Sequence, residues 1–124
     1  MRPQRLVLNG EPLPWQVRCC GTFLQRARGL LWAPRAQWQW AWRLQPCNAV
    51  HTLFLYGPID VVFCDATGEV LRIVAPLRVR RWAGQCAADS VWEFPAGATA
   101  QLSLRRGDRL ALCEPARCEP ARCD

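Results

Sequence analysis

Apolar residues along this chain recur mostly at every second position, in short runs cut by turn residues. Arg5–Leu8 is one such run, ended by Asn9-Gly10, a dipeptide that favours a tight hairpin turn. Trp15 and Val17 then alternate with Gln16 and Arg18, the period of a half-buried strand. The segment from Gln37 to Leu44 alternates most cleanly. Trp38, Trp40, Trp42 and Leu44 share one face; Gln37, Gln39, Ala41 and Arg43 share the other. Val50–Tyr56 and Ile59–Cys64 are near-continuous apolar runs separated by Gly57-Pro58. Asp65-Ala66-Thr67-Gly68 turns the second run into Glu69–Val74, so 59–74 reads as a β-hairpin.

Only one stretch changes period. Thr22 offers an N-cap, and Phe23, Ala27, Leu30 and Leu31 follow at helical spacing, with Arg26 and Arg28 towards the wet side and Pro34 as the stop. Beyond Pro76 a basic stretch, Arg78, Arg80 and Arg81, closes on Trp82. Val91, Trp92 and Phe94 form another short strand, broken by Pro95-Ala96-Gly97. Ala98–Leu102 allows a single helical turn, and Arg106-Gly107-Asp108 leads into a last strand, Arg109–Leu112. The expected fold is therefore all-β: a compact β-sandwich or jelly-roll-like barrel with one short amphipathic helix in the N-terminal third.

Composition refines this picture. At 124 residues the chain fits one domain, and with 51% hydrophobic and 21% charged residues it has the makeup of a folded one. The domain is expected over 1–112. From Cys113 the pentad Cys-Glu-Pro-Ala-Arg occurs twice in tandem, so 113–124 reads as a repeat tail expected to be disordered. All 16 basic residues are arginines, against 10 acids, for a net charge of +6. Residues 1–59 carry seven arginines and one acid, so the excess lies in the front half, beside five of the seven tryptophans. Such a surface favours an anionic partner. No helix-turn-helix, zinc-finger or RNP-like pattern accompanies it, so nucleic acid is not the expected partner. No apolar run reaches the length of a signal-peptide core or a membrane span. A cytoplasmic protein with reduced thiols is the expectation, and no cofactor motif is present.

Several segments together resemble the DUF192 family. They are Arg26-Ala27-Arg28-Gly29-Leu30-Leu31, Pro46 to Leu55, Ile59-Asp60-Val61-Val62-Phe63 with Asp65 and Gly68, then Glu93-Phe94-Pro95-Ala96-Gly97 and Gly107-Asp108-Arg109-Leu110. The resemblance spans 17–112 and implies a compact jelly-roll-like β-sandwich with a helix packed early in the chain. It supplies no catalytic or ligand residues. The chain departs from the family pattern at Leu55, where many members have methionine, and at Cys64, where an aliphatic residue is usual.

The densest candidate chemistry is Cys47, His51, Thr52 and Asp60, with Asp65 nearby. His51 is the only histidine, so any imidazole role falls to it. In an extended strand Cys47 and His51 would share a face about 13 Å apart, so a direct pair would need a turn between them. Four readings stand. In the structural one these side chains bond backbone and fix turns. In the binding one, Cys47, His51, Thr52 and Asp60 line a pocket walled by Trp38, Trp40 and Trp42, for an unidentified protein or small ligand. In the enzymatic one, Cys47 is the nucleophile, His51 its base and Asp60 the orienter. The last is a mononuclear metal site. A small non-enzymatic binding or protein-interaction module is the expected function, with the Cys/His enzyme or the metal protein as the alternative.

Overall fold

The computed structural model describes residues 4–20, 40–51, 58–78 and 80–113. These form nine strands and one short helix: β1 (Gln4–Leu8), β2 (Glu11–Cys20), β3 (Trp40–Leu44), β4 (Ala49–His51), β5 (Ile59–Cys64), β6 (Val70–Leu77), β7 (Trp82–Gly84), β8 (Ser90–Pro95), α1 (Ala98–Gln101) and β9 (Leu110–Cys113). Seven strands make one sheet in the order β6-β5-β8-β3-β2-β1-β9, while β4 pairs with β7 separately. Every pairing is antiparallel except β2 with β3. A parallel pair needs a long crossover, and the chain between Cys20 and Trp40 has the length for one. The helix expected at Thr22–Leu31 lies outside the described residues; α1 is the single turn expected near Ala98.

The all-β expectation holds, but the sheet is mixed and does not close into a barrel. Its edge strands are β6 and β9. The turns leading into them meet at one isolated bridge, Glu69 opposite Arg109, with Val70 N–H bonded to the Asp108 carbonyl and Leu110 N–H to that of Gly68. Among the described residues no ladder joins β6 to β9 beyond that point. Nor is any described helix long and apolar enough to cross a membrane.

The place of β5 in the sheet explains why its sequence is apolar apart from Asp60. All six of its residues are buried, because both faces of the sheet are covered there. Val62 and Cys64 join one core with Leu6, Trp15, Val17, Ala41, Trp92 and Phe94. Ile59, Val61 and Phe63 join a second core with Leu44, Val50, Leu77 and Val91. Strand β3 is shared in the same way: Ala41 enters the first core, whereas Leu44 belongs to the second and Trp42 packs on it. The polar-looking side of the tryptophan strand is therefore covered too, and Arg43 lies over the Trp92 ring, 5.7 Å from its centroid.

Turn chemistry follows the sequence closely. Leu8 pairs with Glu11 around Asn9 and Gly10, whose φ angles of 51° and 83° suit a tight two-residue hairpin loop. Asp65 Oδ1 accepts bonds from Thr67 N–H (2.8 Å), Thr67 Oγ1–H (2.7 Å) and Glu69 N–H (3.0 Å), closing the β5–β6 turn. Gly68 sits at φ +88° against the Leu110 carbonyl oxygen, where an added Cβ would collide.

Candidate functional site

The structure separates the residues grouped by sequence. Asp60, 1% exposed, points from β5 to the start of α1. Its Oδ2 accepts from Gly97 N–H (3.1 Å), Thr99 N–H (3.0 Å) and Thr99 Oγ1–H (2.7 Å). The residue in the N-cap position, Gly97, has no side chain, so a carboxylate from a neighbouring strand does the capping. Oδ1 of Asp60 is buried and has no hydrogen-bond partner among the described residues.

Cys47 lies at the other end of β5. Its N–H bonds to the Asp89 carbonyl, and Asp89 N–H bonds to that of Cys64. Four strand positions, about 13 Å, separate that end from Asp60. The two also lie on opposite sides of the sheet, since Cys47 packs on the second core. Cys47 Sγ–H donates to the Ala49 carbonyl oxygen at 3.1 Å. His51 ends β4 with its backbone opposite Trp82. Thr52 and Trp38 lie outside the described residues, and Trp40 is placed by its backbone at the start of β3. Among the described residues no three His, Cys, Asp or Glu side chains gather as metal ligands.

The thiols differ sharply. Cys64 is buried in the first core, and that burial, helped by the neighbouring Asp65 charge, pushes its pKa up to about 12, so it is inert. Cys19, Cys47 and Cys86 are also free. Cys113 is disulfide-bonded, a departure from the fully reduced set expected.

Register brings together a different group. Arg18 on β2 stands beside Trp42 on β3, and Trp42 stands opposite Glu93 on β8. The three form one row across the sheet face that carries the second core. The Arg18 Cζ lies 5.7 Å from the Trp42 ring centroid. Glu93 is buried, flanked by Val61 of β5. Trp42 is half-buried, yet its indole Nε1 is itself buried and has no acceptor among the described residues. The buried indole of Trp92, by contrast, donates to Ser90 Oγ at 3.2 Å. Neither Arg18 nor Glu93 stood out as a site residue in the sequence. For Glu93 a signal existed, since an acid inside the apolar run Val91–Phe94 needs a reason to be buried.

The profile of DUF192, a family described as uncharacterised, matches residues 5–112. The chain belongs to the DUF192 family. The match reaches back beyond residue 17 to include most of the β1–β2 hairpin, whose first strand lies beside the closing strand β9. Relatives include a UPF0127 protein of Pyrococcus furiosus, 32% identical over 107 residues (84% of this chain, 92% of the relative). Another, from Thermococcus sibiricus, is 28% identical over 106 residues (82% and 69%). Among solved structures, a candidate transcription regulator from Sinorhizobium meliloti superposes with a TM-score of 0.77 at 19% identity, covering 90% of this chain and 94% of that one. A protein of unknown function from Novosphingobium aromaticivorans gives 0.72 at 16%, covering 88% and 83%. At these identities the likeness is one of fold.

Proposed function

We propose that this DUF192 domain is a non-enzymatic binding module that takes a small polar ligand or a peptide at the Arg18–Trp42–Glu93 row. The observation that carries this reading is the Trp42 Nε1–H, a buried donor without an acceptor among the described residues, beside a cationic and an acidic side chain. An unmet buried donor costs about 1–3 kcal/mol, which a ligand oxygen placed there would recover. In the proposal the two cores form a sandwich-like body behind this row. Catalysis is the weaker reading for the described groups. Cys47 donates its proton to a carbonyl, Cys64 is inert, and Asp60 is engaged in capping α1.

Tryptophan emission titrated with small carboxylates, simple sugars and N-acetyl dipeptide amides tests the proposal. At least one class is expected to shift the emission, and Trp42→Phe should weaken that binding by about 1 kcal/mol, close to fivefold. The same substitution should leave the melting temperature unchanged or slightly raised, whereas Trp92→Phe lowers it. A Trp42→Phe variant that melts early would mean that the indole N–H serves the fold, and the reading fails. In native buffer, alkylation of Cys47 should be slower than that of exposed Cys86. The reverse order would favour the Cys47 nucleophile instead.

A further inference from the structure

The sequence singled out a basic stretch ending in tryptophan that the ligand site does not use. Residues 70–88 contain four arginines, at 72, 78, 80 and 81, and no acid. All four are exposed. Among them stands Trp82, the large hydrophobic residue that the described surface leaves open, at 67% exposure. Its exposed ring offers apolar area that a partner could cover.

The strand beneath the ring is held from two sides. Strand β7 is laddered to β4 through Ala49–Gly84, Val50–Ala83 and His51–Trp82. From the other side, Arg72 on β6 donates through Nη1 to the Gly84 carbonyl at 2.7 Å, while its guanidinium lies 6.0 Å from the Phe63 ring centroid. Trp82 is thus presented on a pinned strand. Little conformational entropy is lost when a partner covers it.

We propose that this corner is a docking surface for an acidic, amphipathic segment of a partner protein, with Trp82 as the apolar anchor and Arg78, Arg80 and Arg81 as the charged rim. Tryptophan and arginine are the residues that dominate protein interfaces, the ring buried centrally and the charges around it. A partner segment alternating acids with apolar residues answers both features. A nucleic-acid strand fits less well. It calls for successive stacking rings along a basic track, and the described residues of this corner offer one exposed ring.

The proposal is tested by fluorescence anisotropy on the full chain, with a fluorescein-labelled peptide of alternating glutamate and leucine and a fluorescein-labelled oligothymidylate. The peptide should bind, more weakly as salt rises. Trp82→Ser should weaken it roughly tenfold, and the triple variant Arg78→Ser, Arg80→Ser, Arg81→Ser should abolish it. Exposed Arg105 and Arg106 provide the charge control: replacing both by serine should leave peptide affinity within about twofold. Trp82→Ser should also leave any ligand response of Trp42 intact, so failure here is distinct from failure at the sheet face. Absence of peptide binding, equal loss in the Arg105/Arg106 control, or tighter binding of oligothymidylate than of peptide would each overturn the proposal.

Discussion

The two turns that flank β6 are built on opposite principles. The one before it, 65–69, is made of residues matched to its geometry: Asp65 gathers three hydrogen bonds on one oxygen, and Gly68 takes the left-handed φ under the Leu110 carbonyl. After β6, residue 80 is also left-handed, at φ +60°, but the residue there is arginine rather than glycine or asparagine. Its neighbours are exposed arginines and a tryptophan mostly in water. The first turn is optimised for folding. The second holds residues that folding would not choose, and that contrast is the physical basis for assigning it to recognition.

Substitutions should break this comparison in a fixed order. Gly68→Ala is expected to be the most damaging, lowering stability by about 2–4 kcal/mol, because strain at positive φ adds to overpacking against Leu110. Thermal or urea unfolding would register it. An unfolding midpoint within error of the parent would mean that the turn is not locked.

Asp65 comes next. Its bond with the Thr67 hydroxyl, together with those from the Glu69 and Thr67 amides and the Arg109 charge, outweighs the opposing effect of burial and holds its pKa below the ordinary aspartate value. A carboxyl depressed by folding contributes stability that is complete above its unfolded pKa, near 3.9. That contribution is lost as pH falls through the folded value. Asp65→Asn should therefore lower the melting temperature at pH 7 and flatten its decline below about pH 4. A parent-like acid slope in the variant would locate the sensitive group elsewhere.

The smallest effects belong to the second turn. Arg80→Gly exchanges relief of left-handed strain for greater freedom of the unfolded chain, so the two nearly cancel, within about 0.5 kcal/mol. Trp82→Ser should likewise stay within about 0.5 kcal/mol in unfolding while weakening the acidic peptide. If Trp82→Ser destabilised as strongly as Gly68→Ala, the two turns would be alike and the contrast would vanish.

Much of the fold was legible because its information is local. Asn9-Gly10, the Asp65–Gly68 turn and the period-two runs place β1, β2, β5, β6, β8 and β9 close to where they lie. Strand β7 escaped notice because three residues, Trp82-Ala83-Gly84, carry no measurable alternation and follow a charged run. The parallel pairing of β2 with β3 was also hidden, since a strand's pattern tells which face is buried but not which neighbour it takes. The site was read less well for the same reason. Asp60 looked like part of a reactive cluster with Cys47, but its partners are Gly97 and Thr99, and its face is set by the alternation of β5. Arg18 and Glu93 meet on either side of Trp42 through pairings between strands distant in sequence.

The place of β1 in the sheet has a consequence for how the molecule is made. Arg5 pairs with Cys113, so the earliest strand waits for the last one before its outer hydrogen bonds can form. During synthesis the β1–β2 hairpin emerges with an open edge, and the strand that covers it leaves the ribosome at the end of the domain. The pairing that covers this edge thus joins remote parts of the chain and completes the sheet at its β9 edge, the kind of non-local contact that slows folding.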